Sequence, residues 1–439
     1  MEPSFSTRDL PSDLSQAIVQ AAWQGEGFHP LPPGASASPL TPAQRLLGVA
    51  RVWAEARFGF AYWDQLPALD WDTAFGECAC RALAAADDGA YWETLMDFAA
   101  LLRDGHTEVY PPAELRAPTN ARPPLELGVG DGLPTVLRSA GAAAEAGFAP
   151  GVAITQVDGR PAAERMAAVG RRIAVSTEHF RIACAAQRLL AGPAGSDVEL
   201  AGETVDGRTV RARLTRETAG ARPQPPAVQR RELDPGVWLV SLRTFGDDGV
   251  PGEFDALFPD FEGVRALILD LRANGGGSTG IGYGVLGRLI DSPAAGSAVR
   301  LRTYVPTFRA WGRPQASIAV AGMPAMPSDR LPRFGGPVAV LTGPWTASAA
   351  EDFLVAWRSA RRGPVVGEPT CGSTGQPLFV ALPGGGTFRV CTKRDTYPDG
   401  TTFVGLGILP DVPAAPTRRG MAAGRDEVLA AALHALGVA

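Results

Sequence analysis

The chain of 439 residues contains no long basic run, and its 41 Lys and Arg stand against 46 Asp and Glu for a net charge of -5. It therefore has no electrostatic footprint for nucleic acid. It also lacks any apolar stretch near the roughly 18 residues that span a bilayer, and its first residues, Met1 to Asp9, lack the basic and then apolar pattern of a secretory signal. A cytoplasmic protein with no membrane partner is the expectation. Cysteine is scarce and odd in number (Cys78, Cys80, Cys184, Cys371 and Cys391), which suits a reducing compartment better than a disulfide framework. Cys78 and Cys80 lie two apart in a helical stretch and face different sides, so they do not share a metal. A Cys371–Cys391 approach across a hairpin is the one pairing left open. Histidine is scarcer still, at four residues, so few side chains can serve as a general base near neutral pH. Neither a metal nor a cofactor is expected.

At 45.9 kDa, with 45% hydrophobic and 20% charged residues, the chain has a globular composition and the length for two or three cores. Residues 1–40, rich in Pro, Gly, Ser and Ala, read as an extended arm. Residues 41–110 carry apolar positions at helical spacing, among them Leu46, Leu47, Ala50, Trp53, Leu95, Phe98 and Leu101, and read as a helical domain ending at the Asp104-Gly105 turn signal. Residues 120–216 alternate short apolar runs with turns. Ala146-Gly147-Phe148-Ala149-Pro150-Gly151, followed by Ile154 and Val157-Asp158-Gly159, resembles the second half of a PDZ domain, a fold that holds extended chain ends by strand addition. A small β-rich insert of another kind is the alternative. A Pro-rich linker, Arg222-Pro223-Gln224-Pro225-Pro226, then leads to residues 228–439. There, continuous aliphatic strands such as Ala266-Leu267-Ile268-Leu269 alternate with helices, the pattern of a layered α/β domain.

Three segments can carry chemistry. In Leu269-Asp270-Leu271-Arg272-Ala273-Asn274-Gly275-Gly276-Gly277 a buried strand runs into glycines whose N–H groups can face a ligand, which suits an oxyanion hole. A tight packing turn explains it as well, and Gly282-Tyr283-Gly284-Val285-Leu286-Gly287 formally matches a dinucleotide fingerprint. Those glycines, however, fall within a helix and not at its start. In Thr346-Ala347-Ser348-Ala349-Ala350-Glu351, Ser348 opens a helix whose N-terminus favours developing negative charge, so the Ala349 N–H is a second oxyanion donor. Ser348-x-x-Glu351 is equally a capping box, and Thr346 is an alternative cap. In Arg103-Asp104-Gly105-His106-Thr107, His106 sits in a loop at a domain edge. His29 falls in the arm, His179 in the insert and His434 in the last helix.

The order of Asp-Gly-His-Thr, Asp-Leu-Arg-Ala-Asn-Gly-Gly-Gly, Thr-Ala-Ser-Ala-Ala-Glu, Gly367-Glu368-Pro369-Thr370 and Gly405-Leu406-Gly407-Ile408-Leu409-Pro410-Asp411 resembles the C-terminal processing (tail-specific) serine peptidase family over residues 40 to 420. The resemblance implies a helical N-terminal region, a PDZ-like insert and a core domain similar to the crotonase layered fold, with peptide hydrolysis near a substrate's C-terminus and no metal. It is closer to the branch of the tricorn core and the retinoid-binding repeats than to the serine-lysine branch. In that second branch a lysine follows the nucleophile by about 25 residues, whereas this chain reads Cys371-Gly372-Ser373-Thr374-Gly375-Gln376. The implied base is His106, with Lys393 as the fallback and Gln376 as an accessory group. Two positions depart from the tricorn-like pattern, which has a serine before the histidine and a glutamate three residues before the glycine of the Gly-Ile-x-Pro-Asp segment. Gly105 and Val404 stand there instead. Asp104, Glu108, Asp395 or a water are the candidates to orient the imidazole.

The expectation is acyl transfer to Ser348 with His106 as base and N–H groups of Gly275 or Gly276 and of Ala349 around the oxyanion. The substrate is a peptide or protein, and homo-oligomerisation is left open. The rival is a non-catalytic binding module of the same fold, with the Trp-rich helical region lining an apolar cleft.

Overall fold

The computed structural model describes residues 39–438 apart from 117–119, 219–224, 260, 315 and 331. Residues 1–38 of the N-terminal arm, with His29, and residues 222–224 of the Pro-rich linker lie outside the described residues, while Leu40 at the arm's end is buried in the core. No helix among the described residues is long and apolar enough to cross a membrane.

Three helices open the described chain: Pro42–Gly59, Trp71–Ala84 and Asp88–Ala100. Each begins where a side chain satisfies end amides. Thr41 and Gln44 form a capping box with Pro42 at the first turn, Asp70 accepts from the N–H groups of Asp72 and Thr73, and Asp87 accepts from that of Ala90. Trp71 and Trp92 are each 2% exposed, and Trp71 stacks on Phe98 at 4.1 Å. These two fill the interior, and Trp53 and Trp63 are partly buried against the same core.

Residues 125–215 form a separate antiparallel sheet around Leu125–Gly130, Leu133–Ser139, Ala153–Val157, Asp197–Glu203 and Thr209–Thr215. Phe148, Val152, Ile154, Val157, Val198 and Leu200 form its own buried cluster.

The central sheet runs in the order Val412–Pro413, Val365–Gly367, Val338–Thr342, Ala266–Asp270, Val237–Leu242, Val228–Asp234. It is parallel except at its Val228–Asp234 edge. Its aliphatic strands are buried on both faces, as their unbroken runs require. Leu267, Leu269, Val338 and Val340 pack with Phe353, Leu354 and Trp357 of the helix Ala349–Ser359, whereas Ile268, Ala339 and Leu341 face Val428, Leu429 and Ala432 of the helix Glu427–Ala435. Each fully buried aliphatic side chain here contributes about 1.5–3 kcal/mol. The first cluster also includes Val49, Val52, Trp71, Leu95 and Leu102, so the helical segment and the central sheet share one core. The multi-domain α/β architecture expected from the sequence is the one observed.

Candidate active site

The loop between the helix Asp88–Ala100 and the strand Glu108–Tyr110 carries His106. That short strand pairs antiparallel with Thr387–Cys391, matching Val109 to Phe388, and so fixes the loop to the core domain. Although it lies in a loop at a domain edge, His106 is only 8% exposed. The strand Val338–Thr342 ends in a turn that delivers Ser348 to the start of the helix Ala349–Ser359.

The two meet: His106 Nε2 lies 3.0 Å from Ser348 Oγ. Ser348 has φ 57 and ψ -126, a region that L side chains avoid at a cost of about 1–3 kcal/mol. Glu351 holds the turn from below. Its carboxylate is fully buried and accepts from Ser348 N–H at 3.2 Å, Gly372 N–H at 2.8 Å, Ser373 N–H at 2.9 Å and the Thr370 hydroxyl at 2.5 Å. The Ser348–Glu351 capping box that the sequence allows is thus present, and the Ser348 hydroxyl still lies within reach of His106 Nε2. Thr346 is not the cap: its hydroxyl donates to Leu271 C=O at 2.8 Å and accepts from Gly343 N–H. Burial pushes the Glu351 carboxyl up to about 7, against the downward pull of those four donors. Burial also lowers the affinity of the His106 imidazole for a proton below its ordinary value. Asp104 and Asp352 oppose that shift, while Arg389 and Lys393 reinforce it.

The glycine turn lies directly against Ser348. A Cβ on Gly276, whose φ is 97, would stand 2.6 Å from Ser348 Cβ and 2.8 Å from Ala347 C=O. This approach is why the sequence carries glycine there. The Gly276 N–H is already engaged, donating to Asn274 Oδ1 at 2.9 Å, and this corrects its expected place among the oxyanion donors. The N–H groups of Gly275 and of Ala349, the first residue of its helix, have no partner among the described residues.

Lys393 is turned to a different task, pairing through Nζ with Asp395 Oδ1 at 2.9 Å, and it is not bonded to Ser348. Glu108 lies 3.8 Å from Arg389, and neither Glu108 nor Asp395 bonds His106. The exposed Gln376 contributes its backbone C=O to Thr392, and no side-chain bond joins it to Ser348 or His106 among the described residues. All five cysteines are free thiols, so the Cys371–Cys391 disulfide does not form, and burial pushes the Cys371 thiol well above its usual range.

Sequence reasoning missed two residues. Ser373 Oγ lies 2.6 Å from His106 Nδ1 and 3.3 Å from Asp104 Oδ1. Ser176 donates to Asp104 Oδ1 at 3.3 Å and accepts from Gly105 N–H at 3.1 Å. The signal available for Ser373 was its position about 25 residues beyond Ser348, the spacing at which the serine-lysine branch places its lysine. Ser176 had none. His179, placed by the sequence in the insert alone, reaches Thr370 C=O with Nε2 at 2.6 Å.

Residues 237–414 match the profile of peptidase family S41. The chain is 29% identical over 283 residues to carboxyl-terminal-processing peptidase 2, chloroplastic, of Arabidopsis thaliana, covering 62% of this chain and 48% of that protein. It is 28% identical over 194 residues to the C-terminal processing peptidase, chloroplastic, of Tetradesmus obliquus, covering 44% of this chain and 37% of that protein. The matched segments therefore span less than half the length of these relatives. Among solved structures, mature CPAF superposes with a TM-score of 0.69 at 16% identity, covering 87% of this chain and 94% of that one. A putative peptidase from Parabacteroides merdae gives 0.52 at 17% identity, covering 90% and 97%. These likenesses show a shared fold, and the family resemblance stated from the sequence is borne out.

Proposed function

We propose that this chain, which carries a peptidase family S41 domain at residues 237–414, is a serine peptidase acting through Ser348 with His106 as general base. The observation that carries the reading is the 3.0 Å approach of Nε2 to Oγ between residues 242 apart in sequence. Ser348 Oγ attacks the scissile carbonyl carbon as its proton passes to His106 Nε2, and the resulting oxyanion is held by the N–H groups of Gly275 and Ala349. Collapse of the tetrahedral adduct breaks the C–N bond, and the amine leaves with the proton from His106. A water then gives its proton to His106 and attacks the acyl-enzyme, which releases the carboxylate product and restores Ser348.

The names of the relatives support cleavage near a substrate's C-terminus, and the separate sheet at residues 125–215 supports the reading of 120–216 as a PDZ-like module that receives an extended chain end. The test is labelling with a fluorophosphonate followed by peptide mapping, together with hydrolysis of an unstructured peptide in the presence of chelator. An adduct on Ser348 and turnover are expected. Undiminished labelling of the Ser348→Ala variant would overturn the assignment.

A further inference from the structure

We infer that Ser373 and Asp104 together position His106, in the place of the two groups that Gly105 and Val404 do not supply; this rests on the reading of His106 as the base. Four donors converge on the Asp104 carboxylate, which is 2% exposed: the backbone N–H of His106 at 3.2 Å, the Thr107 hydroxyl at 2.7 Å, and the hydroxyls of Ser176 and Ser373, both at 3.3 Å. An acceptor at the end of a hydrogen-bonded chain sets the direction of every bond before it. Ser373 spends its one hydroxyl proton on Asp104, so its lone pair faces His106 Nδ1 at 2.6 Å and Nδ1 carries the imidazole proton. Nε2 is then left with a bare lone pair toward Ser348 Oγ, the tautomer that a general base needs.

Ser373 is itself tied to the turn it serves. Its N–H donates to Glu351 Oε2 at 2.9 Å and its C=O accepts from Ser348 N–H at 2.9 Å, so the nucleophile and the group that aims its base share one anchor. The glycine before the histidine follows from the same geometry. A Cβ on Gly105 would stand 2.9 Å from Ser373 Oγ and 3.0 Å from Ser373 Cβ, so a side chain at 105 and the hydroxyl of Ser373 exclude each other. Val404, 2% exposed within the hydrophobic core, offers no side-chain acceptor. The charged groups acting on His106 are Asp104, Arg389, Asp352 and Lys393, of which only Asp104 also bonds Ser373.

The experiment compares the full chain with its Ser373→Ala and Asp104→Asn variants. Peptide hydrolysis is followed across pH, and nitrogen NMR on histidine-labelled protein reads the tautomer of His106. In Ser373→Ala, kcat is expected to fall about 10²- to 10⁴-fold with KM little changed, and the Nδ1–H signature of the neutral ring is expected to disappear. In Asp104→Asn the acid limb of kcat/KM is expected to move to lower pH, because the carboxylate charge favours the protonated imidazole. A Ser373→Ala enzyme within threefold of the parent kcat at every pH, or a native His106 protonated on Nε2, overturns the inference. Activity surviving in both Ser348→Ala and His106→Ala instead defeats the underlying assignment of nucleophile and base.

Discussion

His106 Nε2 and Ser348 Oγ stand 3.0 Å apart, brought together from positions 242 residues apart by the pairing of Glu108–Tyr110 with Thr387–Cys391 and by the turn after Val338–Thr342. The hydroxyl is held in a backbone conformation that its residue type avoids, so its position is imposed by the surrounding structure.

Removing the nucleophile separates activity from strain. Both Ser348→Ala and Ser348→Gly should lose fluorophosphonate labelling and reduce kcat by about 10⁴-fold or more. Only glycine relieves the φ of 57, so Ser348→Gly should be about 1 kcal/mol more stable than Ser348→Ala after the cost of its looser unfolded chain. Urea unfolding of the two variants checks this.

His106→Ala should be inactive, with a loss of about 10⁴-fold in kcat. Lys393→Ala should keep kcat within about tenfold, because its ammonium faces Asp395 and not Ser348. A dead Lys393→Ala enzyme beside an active His106→Ala enzyme would reverse the assignment of the base.

The acid limb of kcat/KM should fall below pH ~6.5, the ordinary histidine value. Burial lowers the His106 imidazole's affinity for protons, so its neutral, base-competent form persists to lower pH than in a free histidine. A limb above that value would contradict the buried environment.

Gly276→Ala should cost about 3 kcal/mol or more and abolish labelling. The added methyl meets Ser348 Cβ at 2.6 Å and must adopt a φ of 97. Thermal unfolding and probe labelling read the two effects separately.

Asp395 gives stability a pH dependence of known sign. Its carboxyl, 1% exposed, is pushed up to about 7 by burial despite the opposing Lys393. A raised folded value means that the native state holds its proton where the unfolded chain has lost it. The contribution is therefore complete below about pH 3.8 and is lost as pH rises to about 7, a change on the order of 4 kcal/mol. The urea midpoint of the parent should fall relative to that of Asp395→Asn as pH rises through that window, and the two should run parallel above it.

Local pattern makes part of this legible in the sequence. The strand Ala266–Asp270 announces itself because a segment buried on both faces needs an unbroken aliphatic run, and the helices open at Thr41, Asp70 and Asp87 because those side chains satisfy end amides. Ser348 and His106 are legible as candidates, but the contact between them is not, since it depends on a strand pairing 280 residues across the chain. Ser373 is hidden for a further reason: its proposed role lies in one hydroxyl beside Nδ1, and a serine in a Gly- and Thr-rich loop has no periodicity to mark it, only its spacing from Ser348. The Gly276 N–H misled for the converse reason, because Asn274, two residues back, consumes it.

The strand that seats His106 also sets a clock on biosynthesis. Its partner, Thr387–Cys391, leaves the ribosome some 280 residues after the histidine, which at about 5–20 residues per second is a delay of roughly 15 to 60 s. Throughout that interval the segment bearing His106 has no partner strand to lie against. On the proposed reading of His106 as base, hydrolytic competence cannot precede the emergence of Thr387–Cys391.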